Sequence, residues 1–385
     1  MLYKNKIVYL DQAATSYPKA PAVADAVKDF LVNIGANPGR SGHRLSLEAA
    51  RIIYETRCSI AKFINASDPK QIIFTQNATA SLNYVLLRFL NQNDEVITTS
   101  MEHNSVMRPL KTMEKEKNIK IKIIKANNEG LINVNDILNA ISNKTKLIVI
   151  NHVSNVTGTI QPLDKICTAI GEDVPILVDA AQSIGCLPID VQKLNISFLA
   201  FSGHKGLLGP QGTGCLYIKQ GVELKPLFMG GTGSGSESIE QPDFLPDKYE
   251  SGTINACGIA GLGAAVKWIH EKKIETIFKI KHQYACILYN ELSTIKQLKI
   301  YGEHLTENRL PIFSFTIDNL PIHKVGKILD RQYGIMARVG LQCAPYAHRT
   351  IGTFPNGTIR LSAGCLNTTD EITYTISSIK KIISE

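Results

Sequence analysis

The sequence has no run of apolar residues approaching the roughly 20 that a membrane-spanning helix needs, so no membrane partner is expected. Its start, Met1 to Leu10, carries too short an apolar run for a signal peptide. The eight cysteines, at 58, 167, 186, 215, 257, 286, 343 and 365, form no C-x-x-C pair and none of the spacings of a zinc site. No metal is therefore expected, and scattered reduced thiols suit a cytoplasmic protein. An arginine cluster with interleaved aromatics is also missing. The formal charge of +8 comes instead from mixed runs, such as Lys111, Lys115, Lys117, Lys120 and Lys122 with Glu114 and Glu116 among them, which read as solvated faces. Nucleic-acid binding is not expected. No G-x-x-x-x-G-K-[ST] occurs and no G-x-G-x-x-G follows a strand pattern, which argues against P-loop and dinucleotide folds.

What is present is a chain of 385 residues, 44% hydrophobic and 20% charged, long enough to stabilise itself by burial without disulfides. From about residue 70, β-rich runs alternate with helical patterns: Ile72 to Thr75 then Thr79 to Leu90, and Glu95 to Thr99 then Ser105 to Lys115. This alternation predicts a parallel sheet with crossover helices. Further strands are expected at Lys146 to Ile150, Ile176 to Val178, Ile196 to Phe201 and Gly214 to Ile218, giving a mixed sheet of about seven strands. Between about 220 and 252 Gly, Ser, Pro and acidic residues dominate and no hydrophobic period survives, which predicts a long loop. An apolar helix from Asn255 to His270 follows. The expected organisation is an N-terminal segment, 1–20, packing with a small C-terminal α+β domain, 271–385, and a large α/β domain over 21–270.

Chemistry concentrates at strand ends. The run Ile196-Ser-Phe-Leu-Ala-Phe-Ser-Gly-His-Lys205 delivers Ser202, His204 and Lys205 to the carboxyl end of a buried strand, where open α/β sheets place ligands. A second apolar run, Pro175-Ile-Leu-Val, ends in Asp179. An acid and a lysine at nearby strand ends meet the needs of pyridoxal phosphate: an amine for a Schiff base and a carboxylate that keeps the pyridine nitrogen protonated. Phosphate would sit at a helix start, and Phe74-Thr-Gln-Asn77-Ala78-Thr79 is a strand leading directly into one. Ser251-Gly252-Thr253 offers a second anion-ready helix start.

The ordered set Tyr9-Leu-Asp-Gln-Ala-Ala-Thr-Ser, Met101-Glu-His103-Asn, Val153-Ser-Asn155-Val-Thr-Gly-Thr, Val178-Asp-Ala-Ala-Gln182 and Ser202-Gly-His-Lys205 resembles the class V aminotransferases. Within them it resembles the cysteine desulfurase and selenocysteine lyase group. The resemblance implies fold type I of the pyridoxal enzymes, a homodimer with its sites at the subunit interface, and pyridoxal 5'-phosphate as cofactor. It implies Lys205 as the Schiff-base lysine, Asp179 on the pyridine nitrogen, Gln182 near the ring hydroxyl and His103 stacked on the ring. Asn155 would contact cofactor or substrate. Ala78, Thr79, Ser202 and His204 would hold the phosphate, joined by Thr253 of the other subunit.

The stretch Ala337-Arg338-Val-Gly-Leu-Gln-Cys343-Ala-Pro-Tyr-Ala-His348-Arg349 resembles the cysteine region of the Suf-type (group II) desulfurases, with Leu341 and Gln342 where those enzymes commonly carry histidines. The resemblance makes Cys343 the nucleophile that takes sulfur from L-cysteine as a persulfide, leaving L-alanine. Arg338, His348 and Arg349 are expected to supply positive charge near it. Arg360, in Gly357-Thr-Ile-Arg360-Leu-Ser, would bind the substrate's α-carboxylate with its planar guanidinium. A sulfur-acceptor protein and a role in iron-sulfur cluster assembly or thio-modification are implied as well. The rival readings are a selenocysteine lyase acting on L-selenocysteine, and a class V aminotransferase or β-eliminating enzyme with no need of Cys343.

Overall fold

The computed structural model describes residues 7–39, 41–302, 304 and 308–384. The first six residues of the expected N-terminal segment thus lie outside the described residues. In chain order the elements begin with β1 (Val8–Tyr9), α1 (Val23–Asp29), α2 (Arg44–Phe63), β2 (Ile72–Thr75), α3 (Ala78–Phe89), β3 (Glu95–Thr99), α4 (Asn104–Glu116) and β4 (Lys120–Ile124). Next come α5 (Val134–Ala140), β5 (Thr145–Asn151), α6 (Leu163–Ile170), β6 (Ile176–Asp179), β7 (Phe198–Ser202), β8 (Gly214–Ile218), α7 (Ala256–Lys272) and α8 (Ile274–Leu292). The remainder is β9 (Leu298–Tyr301), β10 (Ile312–Ile317), α9 (Ile322–Tyr333), β11 (Ile335–Met336), β12 (Arg338–Gly340), α10 (Pro345–Thr350), β13 (Thr358–Ser362) and α11 (Thr369–Ser384).

Seven strands form one mixed sheet in the order β2-β8-β7-β6-β5-β3-β4. Only β8 runs against its neighbours. The inner strands are buried on both faces, which is why they read as unbroken apolar runs. Their alternate residues feed two cores. Ile148, Ile150, Ile176 and Val178 face one side with α2, α6 and α7, while Leu147, Val149 and Leu177 face the other with Val106 and Leu110 of α4. The edge strand β4 is absent from the strands expected above, because its lysines Lys120 and Lys122 alternate with isoleucines and resemble a solvated face. Lys122 and Lys120 instead reach the buried Glu95 of β3, at 2.6 and 3.6 Å.

A second, antiparallel sheet has the order β12-β13-β10-β9. Its core gathers Phe313, Phe315, Ile359 and Leu361 with Leu288 of α8 and Ile376 of α11, and takes in Val8 and Leu10 from the N-terminal segment. The strand β1 pairs in parallel with β11. Helix α10 lies late in the chain, yet Ala347 belongs to the core of the seven-stranded sheet, together with Ala344 and Ile351 at its two ends. The turn carrying Cys343 is thereby anchored on the larger unit.

Between β8 and α7 the described residues form neither helix nor strand. The long stretch is nonetheless pinned. At its far end Glu250 forms a buried bidentate pair with Arg57 of α2, both contacts 2.8 Å, and accepts the Phe74 amide at 2.6 Å. Helix α7 starts at Ala256 and is capped by Asn255, whose Oδ1 accepts the Gly258 amide at 3.1 Å. Ser251-Gly252-Thr253 therefore does not open a helix, which corrects the expectation of a second anion-ready start there.

Candidate active site

The carboxyl ends of β5, β6 and β7 form the floor of a cavity of about 200 Å³. Asp179, the last residue of β6, and Lys205, three residues past β7, both line it, with His103, Asn155, Gln182, Ser202 and His204. Asp179 is 4% exposed, and its Oδ1 accepts the Ala181 amide at 2.9 Å. Burial raises its pKa, opposed by that hydrogen bond and by Lys205. Lys205 is shifted downward, by burial first, with Asp179 pulling the other way. A buried amine with a lowered pKa gives up its proton more readily than a surface lysine.

One end of the cavity suits an anion. Asn77 caps α3 by accepting the Ala80 amide at 3.0 Å, and the Ala78 amide at the helix start donates to Ser202 Oγ at 2.9 Å. Thr79 Oγ1 lies 2.7 Å from Ser105 Oγ, which lies 2.8 Å from His103 Nδ1. His103 caps α4 as well, accepting the Ser105 amide through Nδ1 at 3.1 Å, so its proton sits on Nε2. Burial, then the charge of Lys205, brings its pKa down to about 4, leaving a neutral ring at pH 7. His204 is likewise pushed down to about 4 by burial and then by Lys205 and Lys19, and its Nδ1 meets Thr15 Oγ1 at 3.0 Å. Gln182 Nε2 donates to the Ala13 carbonyl at 2.9 Å, tying the N-terminal segment to the cavity.

The opposite end is built by the smaller sheet. Arg360 of β13 is 2% exposed and donates to Asp11 at 2.6 Å and to the Asn155 carbonyl at 2.9 Å, leaving its Nε without a partner. Asn155 Nδ2 donates to the Gln342 carbonyl at 2.7 Å, and its buried Oδ1 has no partner. Asn155 therefore presents an acceptor to the cavity, which suits a hydroxyl or ammonium. Cys343 follows Gln342 in the turn before α10, is exposed, and its carbonyl accepts the Asn104 amide beside His103 at 2.8 Å. A thiolate at this position would raise the pKa of both Lys205 and Arg360.

One expected source of charge near Cys343 is not used that way. His348 is completely buried between Thr353 Oγ1 and Gln342 Oε1, both at 2.7 Å, and burial brings its pKa down to about 4. It is neutral at pH 7 and braces Gln342. Arg349 lies over the Phe354 ring at 4.4 Å. Arg338 does act on the site, through Lys205, His103 and Arg360. Thr253 is exposed, accepts from Asn37 Nδ2 at 3.4 Å and does not line this cavity in its own chain.

Some contributors carried no signal of their own. Asp11 and Glu102 stand inside the quoted motifs but only the fold shows Asp11 on Arg360 and Glu102 beneath the floor, where Oε1 accepts from Thr99 at 2.7 Å and from the Asn151 amide at 3.0 Å. The bracket from Gln342 to His348 joins a turn to the short helix α10, a stretch with too little periodicity to read.

Residues 8–374 match the class V aminotransferase family. The chain belongs to that family. A relative in Methanothermobacter thermautotrophicus named "Probable cysteine desulfurase" is 37% identical, over 97% of this chain and 94% of its own length. A cysteine desulfurase of Cronobacter sakazakii is 31% identical, over 98% and 93%. Among solved structures, the apo cysteine desulfurase of Thermococcus onnurineus NA1 superposes with a TM-score of 0.91 at 31% identity, covering 98% of this chain and 95% of that one. That of an Escherichia coli cysteine desulfurase in its S-sulfonic acid form gives 0.87 at 26% identity, covering 98% and 94%. The seven-stranded mixed sheet with its smaller α+β unit is accordingly the type I fold of pyridoxal-dependent class V aminotransferases, as the motifs implied.

Proposed function

We propose that the chain is a pyridoxal phosphate-dependent cysteine desulfurase that converts L-cysteine to L-alanine and keeps the sulfur as a persulfide on Cys343. The observation that carries this reading is the turn of Cys343: an exposed thiol, tethered to Asn104 and Asn155, in electrostatic reach of Lys205 and Arg360.

The residues present fit the cofactor. The start of α3 with Thr79, Ser202 and His204 would hold the phosphate, Asp179 the pyridine nitrogen, Gln182 and Asn155 the ring hydroxyl, and His103 the ring face. When bound, pyridoxal phosphate supplies an aldehyde for the amino group and a protonated ring that withdraws electrons from the α-carbon. The unpartnered Nε–H of Arg360 binds and orients the substrate's carboxylate, while Asp11 fixes the guanidinium. Lys205, its pKa lowered by burial, takes the α-proton. Cys343 then attacks the substrate sulfur: an S–S bond forms, the C–S bond breaks, and the β-carbon keeps the electron pair and takes a proton. One L-cysteine and one thiol thus give one L-alanine and one persulfide.

Purified protein supplied with L-cysteine and dithiothreitol should release alanine and sulfide in equal amounts. Cys343→Ala should lose both by at least about a hundredfold while keeping the bound-cofactor absorbance; normal turnover in that variant overturns the reading. Faster turnover of L-selenocysteine that survives in Cys343→Ala would move the assignment to a selenocysteine lyase. A sulfur-acceptor protein serving iron-sulfur assembly is the partner this chemistry calls for. A homodimer that brings Thr253 to the neighbouring site is part of the same proposal. Phe228, Met229 and Phe244, at 61%, 71% and 54% exposure, give the long loop an apolar surface to cover. Sedimentation should show a dimer, and Met229→Asp with Phe244→Asp should shift it toward monomer and weaken cofactor retention.

A further inference from the structure

A second and much smaller cavity of about 30 Å³ shares Gln182 and Lys205 with the cofactor cavity and is bounded also by Cys186, Lys281, Cys365 and Gly206. It sits where the two units meet. Cys186 comes from the turn after β6, Lys281 from α8, and Cys365 from the segment after β13. Lys281 is partly buried and, among the described residues, has no carboxylate partner; its Nζ lies 2.8 Å from Cys186 Sγ. That separation falls within the range of about 2.7–3.2 Å typical of N–H···O contacts, although sulfur is much larger than oxygen. The two atoms stand further apart than a covalent bond and closer than an ordinary contact, with room for a single bridging atom.

We propose that Cys186 and Lys281 form a redox modification site, in which hydrogen peroxide joins them through one oxygen atom as an S–O–N cross-link between the two units. One peroxide oxidises the Cys186 thiol to sulfenic acid and leaves as water. The proton of Lys281 is then free to go. Burial favours the amine, and oxidation of Cys186 alters the contact with its sulfur that favours the ammonium. A second peroxide takes that amine to the hydroxylamine, again releasing water, and the two groups condense with loss of a third water. Two peroxides are consumed, four electrons pass to them, and one oxygen stays in the bridge. The cavity can admit the oxidant, since a water-sized molecule needs roughly 10–15 Å³. The site also touches the catalytic loop: a Cβ at Gly206, next to Lys205, would lie 2.9 Å from Cys186 Sγ. Sulfur chemistry at position 186 therefore bears on the backbone that carries Lys205.

The test treats the holoenzyme with hydrogen peroxide and maps its peptides without reductant. The expected product is a linked pair containing Cys186 and Lys281, with the mass of both peptides plus one oxygen less two hydrogens. It should disappear with dithiothreitol, be absent from Lys281→Met and Cys186→Ser, and persist in Cys365→Ser and in Cys343→Ala. Recovery of the two peptides unlinked at peroxide doses that oxidise Cys343 completely, or a link from Cys186 to Cys365 instead, overturns the proposal. The readout is a mass and needs no turnover, so it stands or falls separately from the desulfurase reading.

Discussion

Arg360 is in position before any substrate arrives, because Asp11 and the Asn155 carbonyl already take two of its donors. Charge-assisted hydrogen bonds of this kind are worth about 1.5–3 kcal/mol. Arg360→Lys keeps the charge but loses the planar fork, so KM for L-cysteine should rise by about ten- to a hundredfold with the cofactor absorbance unchanged. Steady-state kinetics on the variant measure this, and an unaltered KM would remove Arg360 from the carboxylate site. Part of this site was legible residue by residue. Lys205 and Asp179 end apolar runs that can only be buried strands, and their two chemistries complement each other. The charge expected from His348 was not realised, because charge depends on burial, and nothing in a helix as short as α10 shows that Thr353 and Gln342 enclose the ring.

Among the elements, α2 and the end of the long loop depend on a single pair. Arg57 and Glu250 are both almost wholly buried, so removing one partner strands the other charge in the interior at a cost of about 3–5 kcal/mol. Arg57→Met should lower the unfolding free energy measured by urea denaturation by that much, and the double variant Arg57→Met with Glu250→Leu should recover part of the loss. No recovery would mean that the pair does more than neutralise itself. The inner strands could be read from composition, since a strand covered on both faces is apolar throughout. The edge strand β4 could not, since one side of it meets water and Glu95 pays for its lysines. Helix α7 was placed correctly within about a turn, yet its cap fell to Asn255, two residues beyond Thr253, because capping turns on backbone angles that composition leaves open.

At the scale of the whole molecule, two buried groups bend the pH dependence of stability in opposite directions. His152 is held down to about 4 by burial against an ordinary 6.5. Between those values the unfolded chain binds the proton and the folded one does not, so stability falls as pH drops, by up to about 1.4 kcal/mol per pH unit. Glu102 is pushed up to about 8 by burial, with Asp179 adding to the shift, against an ordinary 4.5. Its contribution is complete below 4.5 and is lost as pH rises toward 8. Urea midpoints of the cofactor-free chain should therefore show a flatter acid limb in His152→Leu and a flatter alkaline limb in Glu102→Gln; unchanged limbs would show that these groups titrate alike in both states.

Gln342 and Cys343 both have left-handed backbones, with φ of 42° and 59°, in a turn fastened at each carbonyl. Such angles cost a residue with a side chain about 1–2 kcal/mol apiece, and the fastening keeps the turn from relaxing. On the proposed reading, a sulfur carried by Cys343 on so short a leash is not ferried outward. The exchange takes place at the doorstep, and a recipient has to extend a slender reactive tip of its own to collect the load, which selects for the shape of the visitor as much as for its chemistry.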